Sequence, residues 1–91
     1  MFIPEFSNQF KRSYKLMMKR GANPKLLEKA ISLICSGEPL PFAYKEHNLS
    51  GNYSQYKECH ILPNWLLIYK KDEDKKIVFF ADTGTHSDLF R

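Results

Sequence analysis

The stretch NWLLIYK, residues 64–70, constrains the fold of this chain more than any other part of the sequence. Its apolar residues run on almost without a break, which is typical of a strand at the centre of a sheet with both faces covered. The chain has 91 residues, enough for one hydrophobic core and no second one. We therefore predict a single domain over residues 1–91 that is built around this strand.

Two neighbouring segments predict the partners of the central strand. The segment YKECHIL (56–62) alternates its side chains between two faces, and KIVFFAD (76–82) is a further apolar strand. The dipeptide PN forms a tight hairpin connection before the central strand, and KDEDK (71–75) forms the turn after it. The C-terminal half is thus predicted to be a three-stranded antiparallel meander.

The N-terminal third predicts a short strand followed by a helix. Residues 1–6 alternate loosely, and Pro4 restricts such a strand to the edge of a sheet. Apolar residues then recur at helical spacing over residues 8–20. Ser7 fits the N-cap of this helix, and Gly21 fits its C-terminal stop.

A second helix follows directly. Asn23 fits its N-cap, and Pro24 takes the first helical position, where the missing N–H costs nothing. The two helices should form an antiparallel hairpin on one face of the sheet, which gives an α+β fold with the other face partly open. Residues 37–53 then form a long loop, and its aromatic residues Phe42 and Tyr44 favour a packed, functional loop.

Positive charge is concentrated in the N-terminal third. Residues 1–29 contain seven Lys and Arg against two Glu, a net charge of +5, whereas residues 30–91 contain seven against eight acidic residues, a net charge of −1. Such a local field suits an anionic partner, either nucleic acid or an acidic protein segment, but a solvated helix face would have the same composition. On the first helix the basic residues form a stripe beside the apolar face: Lys11, Arg12, Lys15 and Lys19.

The rest of the composition narrows the class of protein. The apolar runs are too short to span a bilayer, and the chain opens without the charged and apolar regions of a secretory signal. Cys35 and Cys59 lie on separate apolar segments and make neither a disulfide scaffold nor a zinc site, so we expect reduced cysteines in a cytoplasmic protein. Three histidines without acidic or cysteine partners at ligand spacing predict no metal or other cofactor.

Three histidines fall near the ends of different predicted elements: His47 in the long loop, His60 on the first meander strand and His86 after the last strand. If the strands are adjacent, all three could meet at one end of the sheet. Two imidazoles can serve as base and acid when the 2′-hydroxyl of RNA attacks the neighbouring phosphate, because histidine titrates near neutral pH. Aromatic side chains would hold bases by stacking, and cations would steady the developing charge. The candidates are Trp65 and Phe90 for stacking, and Lys45, Lys57 and Arg91 for charge.

Each of these residues also has a structural interpretation. A single histidine is more often a hydrogen-bonded structural residue than a catalyst. Trp65 lies in an apolar strand, where a core position is the default, and Phe90 could simply anchor the C-terminal tail. From the residues alone, a basic α+β module that binds RNA or an acidic peptide therefore ranks ahead of a ribonuclease.

Two motifs resemble those of a known family. The segment LPFAYKEHNLSGNYSQYKECHILPNWLLIYK, followed by DTGTHSDLF, is similar to the YafQ-type toxins of the RelE superfamily. These are the toxin halves of bacterial type II toxin–antitoxin modules. The likeness runs over residues 40–90 and includes the spacing of all three histidines, whereas the two N-terminal helices fit by arrangement rather than by motif.

The resemblance implies a RelE-like fold and a metal-independent endoribonuclease that cuts mRNA in the ribosomal A site and is silenced by a cognate acidic antitoxin. It implies catalytic roles for His47, His60 and His86, and substrate-binding or site-shaping roles for Trp65 and Phe90. We favour His60 and His86 as the acid–base pair. His47 would then handle a third proton or bind phosphate.

Two residues depart from the family pattern, which often has Asp where this chain has Asn64 and, in some members, Arg where it has Asp82. Asn64 cannot take up a proton as Asp can, so we expect it to orient a phosphate or an imidazole by hydrogen bonding. If Asp82 faces the site, its negative charge would disfavour RNA there. The alternative is therefore a weak or inactive module that has kept the fold and binds antitoxin or RNA.

The tail TGTHSDLF carries the third histidine. Thr83 and Gly84 are expected to turn the chain off the last strand and to deliver His86 toward His60. Phe90 then pins the end of the tail.

Overall fold

The centre of the structure is a five-stranded sheet. The strands are β1 (Ile3–Phe6), β2 (His47–Asn48), β3 (Lys57–Leu62), β4 (Trp65–Asp72) and β5 (Ile77–Gly84). In this computed structural model, which describes residues 1–90, their order across the sheet is β1-β5-β4-β3-β2. The strands β3, β4 and β5 form the predicted antiparallel meander, β2 extends it beside β3, and β1 pairs in parallel with β5 at the opposite edge. The predicted α+β fold with an N-terminal edge strand is confirmed.

Two helices connect β1 to the rest of the sheet, α1 (Asn8–Lys19) and α2 (Pro24–Cys35). The Ser7 hydroxyl accepts the backbone N–H of Phe10 at the start of α1, and the Asn23 side chain accepts that of Lys25 at the start of α2. Both predicted N-caps are therefore confirmed. Among the described residues, no helix is long and apolar enough to cross a membrane.

The hydrophobic core lies between the two helices and one face of the sheet. Along β4, Trp65, Leu67 and Tyr69 enter this core with at most 2% of their surface exposed. Leu66 points to the other face because side chains alternate along a strand, and it is also fully buried. The first half of β4 is thus covered on both faces, as the apolar run predicts.

The loop between α2 and β3 is more structured than predicted. It contains two 3₁₀ turns, Phe42–Tyr44 and Gly51–Tyr53, on either side of the short strand β2. Tyr44 packs against the core, but Phe42 is 93% exposed, so the prediction of a loop packed by both aromatics is wrong for Phe42. Two residues are too few to show a strand-type alternation, which is why β2 is absent from the sequence-based prediction.

The last strand also ends later than predicted. Thr83 and Gly84 still pair with β4 in the sheet, so they do not turn the chain as expected. The turn occurs at Thr85, which is the N-cap of a short helix, α3 (His86–Leu89). The difference arises because the backbone hydrogen bonds of the sheet extend to the first residues of β4, where a strand partner is still available.

Candidate active site

Three histidine rings lie together on the sheet face opposite the helices. The ring centroids of His47 and His60 are 6.3 Å apart, and those of His60 and His86 are 5.9 Å apart. The rings come from β2, β3 and the first residue of α3, and His60 is the central one. The expected meeting of the three rings is confirmed by these distances, whereas their catalytic roles stay predictions.

The ring of His86 is oriented by Asn64, in the turn between β3 and β4. The Asn64 side-chain oxygen accepts two hydrogen bonds, from the His86 backbone N–H at 3.0 Å and from Nδ1 of the ring at 2.7 Å. Since Nδ1 is the donor in this contact, the proton of the neutral ring lies on Nδ1 and Nε2 is left with a lone pair. Asn64 thus orients an imidazole, which is one of the two roles that the sequence predicts for it.

The ring of His47 is held at both nitrogens. Its Nδ1 donates to the backbone carbonyl of Lys45 at 2.9 Å, and its Nε2 lies 3.3 Å from a carboxylate oxygen of Glu58. Glu58 is only 5% exposed, and His47 is its one ion-pair partner within residues 1–90. An imidazole with an oxygen acceptor at each nitrogen suits the doubly protonated, positively charged form. His47 therefore lies exposed beside His60, with an oxygen acceptor at each of its ring nitrogens.

His60 differs from the other two histidines. Its Nδ1 is buried and has no hydrogen-bond partner among the described residues. A cleft of about 320 Å³ opens over His60 and His86, and Lys45 and Ala43 lie on its rim. A larger hollow of about 480 Å³ lies at the far end of the sheet, beside Lys70, and contains none of the histidines. We place the site at the smaller cleft because the chemistry-bearing groups converge there.

The loop that carries His47 is tied to the core by a buried tyrosine. The hydroxyl of Tyr69, which is fully buried on β4, donates a hydrogen bond to the carboxylate of Glu46. Burial raises the pKa of Tyr69 well above its ordinary value, and the hydrogen bond to Glu46 raises it further. Tyr69 therefore stays protonated and remains a donor throughout the pH range in which histidines titrate.

Trp65 does not reach the cleft surface. It is 2% exposed, and its indole N–H donates to the Thr83 hydroxyl at 2.9 Å, which in turn donates to the carbonyl of Leu66 at 2.7 Å. A buried ring has no free face on which a base could stack, so Trp65 does not fit the stacking role, and its part in substrate binding stays a prediction. A site-shaping role for Trp65 agrees with its position, because the indole donates a hydrogen bond to β5 just before the tail that carries His86.

Phe90 lies on a second cleft of the same sheet face, of about 410 Å³, together with Tyr53 and Tyr56. It is 52% exposed, so part of its ring surface is open to solvent. Asp82 lines this cleft too, but its carboxylate accepts the Ser13 hydroxyl at 2.5 Å and the Thr83 N–H at 2.8 Å. Arg91, a candidate cation, lies outside the described residues.

Two residues that hold the ring and the loop of His47 escape prediction as functional residues: Glu46, which accepts the Tyr69 hydroxyl, and Glu58, which contacts His47. Their contacts bridge residues that are far apart along the chain, and no local pattern marks such pairs. Glu58 alone carried a usable signal, since it lies two residues before His60 on the same strand face. Over residues 1–90, no group of three His, Cys, Asp or Glu side chains is arranged to hold a metal ion.

Comparison with known proteins gives consistent matches over the whole chain. Residues 3–91 match the family described as "Bacterial toxin of type II toxin-antitoxin system, YafQ". The "mRNA interferase toxin YafQ" of Escherichia coli K12 is 38% identical over 87 residues, which are 94% of this chain and 92% of that protein.

Two solved structures extend this likeness to three dimensions. YafQ in the crystal structure of the E. coli DinJ-YafQ complex has a TM-score of 0.89 and 37% identity, with 100% of both chains covered. A metal-bound toxin from Helicobacter pylori has a TM-score of 0.92 and 34% identity, with 99% of this chain and 100% of that chain covered.

Proposed function

Because this chain belongs to the YafQ family of bacterial type II toxins, we propose that it is an endoribonuclease that cuts mRNA on the ribosome. The observation that carries this proposal is the pair formed by His60 and His86, whose ring centroids lie 5.9 Å apart while Asn64 binds the ring of His86 at Nδ1 and not at Nε2. The relative from E. coli is named an mRNA interferase, which supports mRNA as the substrate.

The reaction needs one proton to be removed and one to be supplied. One ring of the His60–His86 pair takes the proton of the 2′-hydroxyl, whose oxygen then bonds to the adjacent phosphorus. The bond from phosphorus to the 5′-oxygen breaks, and the other ring gives its proton to that oxygen. The products are a 2′,3′-cyclic phosphate and a 5′-hydroxyl. This chemistry uses only side chains of the site and runs through no metal ion.

The remaining groups hold the substrate. His47 in its charged form and Lys45 at the cleft rim lie where they would offset the charge of the scissile phosphate. Phe90 supplies an exposed ring for a neighbouring base. The Asp82 carboxylate accepts a hydrogen bond from Ser13 on α1, so its negative charge is directed partly toward α1. This orientation supports an active enzyme rather than the weak or inactive module.

The partner of the free toxin is a cognate antitoxin with an acidic segment. The supporting observations are the complex of the E. coli relative with DinJ and the basic stripe on α1, which is exposed at Lys11, Arg12, Lys15 and Lys19. A toxin that acts on ribosomes works in the cytoplasm, and we place this protein there. The neighbouring reading frame should then encode a small acidic protein that co-purifies with this chain.

Expression without the antitoxin tests the proposal. Wild-type protein should arrest growth, and primer extension should show new 5′ ends in mRNA only while translation continues. His60→Ala and His86→Ala should abolish both effects, whereas Glu73→Gln, an exposed change in the β4–β5 turn, should not. Toxin that has been stripped of bound metal with EDTA and then dialysed should give the same cuts on ribosomes kept in Mg²⁺ buffer, which tests metal dependence directly, since the toxin from H. pylori was crystallised with metal. Equal growth of wild type and both histidine variants would overturn the assignment.

A further inference from the structure

We propose that Arg20 and Asp88 are positioning residues for the reaction, because their ion pair fixes α3 to the end of α1 and thereby aims His86 at His60. The inference rests on the proposed function, since it assigns a role in cleavage to two residues outside the histidine cleft. It concerns residues that are 68 positions apart in the sequence.

The ion pair is bidentate. Nη1 of Arg20 lies 2.6 Å from one carboxylate oxygen of Asp88, and Nη2 lies 3.1 Å from the other. The Arg20 contact, together with the Thr85 backbone N–H, holds the pKa of Asp88 well below its usual range. A planar guanidinium that meets both carboxylate oxygens fixes orientation as well as distance.

The helix that carries His86 depends on such contacts. It has only four residues, and none of them is fully buried. An isolated helical turn of that length is unstable, because nucleation fixes several backbone angles for one hydrogen bond. Three polar contacts hold α3 instead: the Thr85 capping box, the Asn64 contact to His86, and the Arg20 contact to Asp88.

The three contacts hold α3 against three different parts of the fold. The Thr85 box fixes the start of α3 on β5, and Asn64 holds the His86 backbone and ring from the β3–β4 turn. Arg20 is the contact that comes from the helical layer. Arg20 itself lines a hollow of about 380 Å³, together with Met17, Asn64 and Thr85. Without Arg20, α3 could therefore tilt into this space and carry His86 with it.

The approach of Asp88 to β5 is close, which shows how tightly α3 is docked. A Cβ on Gly84 would stand 3.0 Å from the Cβ of Asp88 and 3.0 Å from its carboxylate oxygen. A side chain at this position would therefore have to displace Asp88 by a few tenths of an ångström. The orientation of His86 therefore depends on the contacts that Asp88 makes with Arg20 and with Gly84.

The experiment measures cleavage by Arg20→Met, Arg20→Lys and Asp88→Asn on programmed ribosomes. Arg20→Met keeps the aliphatic stem but loses the charge, and we expect kcat to fall by about 10- to 100-fold with KM changed by less than about threefold, as for a misplaced catalytic group. Arg20→Lys should recover only part of the loss, because a lysine ammonium keeps the charge but cannot meet both carboxylate oxygens in the fixed geometry of a guanidinium. The double variant Arg20→Met/Asp88→Asn should be no worse than the poorer single variant, because the two changes break one contact. Glu73→Gln, which removes the exposed pair with Lys76, is the matched control.

A second readout does not depend on activity. In side-chain NMR, the Nδ1 proton of His86 should be visible in the wild type, where Asn64 accepts it, and should exchange faster in Arg20→Met but not in Glu73→Gln. The inference is overturned if Arg20→Met cleaves like the wild type, or if its loss lies in KM with an unchanged His86 signal. If the wild type itself does not cleave, the proposed function fails, and the NMR comparison still decides whether the ion pair positions His86.

Discussion

The hydroxyl of Tyr69 offers a sharp test of how the loop with His47 is held. It is fully buried and donates to the Glu46 carboxylate, one residue before His47. Hydrogen bonds to charged groups contribute about 1.5–3 kcal/mol. Glu46 is partly exposed and can turn toward water once its partner is gone, so we expect Tyr69→Phe to lower the free energy of unfolding by about 2 kcal/mol.

The assay is urea denaturation followed by fluorescence, with the m-value compared between variants. For a chain of this size, about 2 kcal/mol corresponds to a fall in Tm of about 8–16 °C. Tyr14→Phe is the matched control, because Tyr14 packs against the core but its hydroxyl makes no hydrogen bond to another described residue. That control should stay within about 0.5 kcal/mol of the wild type.

Hydrogen exchange then separates a local from a global effect. In Tyr69→Phe the amides of residues 45–48 should exchange faster than in the wild type, by more than the loss of global stability explains. If the variant is as stable as Tyr14→Phe and exchange at residues 45–48 is unchanged, the hydroxyl does not hold the loop and the reasoning is refuted.

Three further outcomes are expected. Gly84→Ala should push the side chain of Asp88 away and lower both the Tm and the cleavage rate, as measured by thermal melting and primer extension. Burial raises the pKa of Cys59 from 9.0 to about 12, so the folded state disfavours the thiolate. Stability is then full below pH 9 and falls by up to about 1.4 kcal/mol per pH unit as the pH rises toward 12. Cys59→Ala should flatten this fall in urea titrations at pH 7 and 10.5. Asn64→Asp should raise cleavage in the primer-extension assay, because a carboxylate holds the charged form of His86 more strongly than an amide does, and Asn64→Leu should lower it.

The parts of the fold that local signals determine could be predicted from the sequence. The apolar run of β4, the helix caps at Ser7 and Asn23, and the PN turn each act within a few residues, and each appears in the structure as expected. The strand that the sequence does not predict is β2. It has two residues, and its formation depends on the partner β3 rather than on its own sequence.

For the site, the sequence predicts which strands and loops carry the histidines, but it does not predict the side-chain contacts between them. The order of the strands brings His47, His60 and His86 together. Trp65 is buried because its side of β4 faces the core and not the cleft, and the sequence does not show which side that is. An irregularity between Ile68 and Tyr69 shifts the pairing of β4 with β5. Such a shift changes which side chains of the two strands lie opposite each other. Contacts of this kind depend on the assembled sheet and have no local signature.

The parallel pairing of β1 with β5 has a consequence for how the protein is made. Ile3 leaves the ribosome early in synthesis, but its partner in the sheet is Ile77, so the first strand must wait unpaired for the last one. Pairing over such a sequence separation is slow, because a long loop has to close first. His86 begins α3, shortly after β5, and a nascent chain therefore cannot bring the three imidazoles together until β5 and His86 have both been translated.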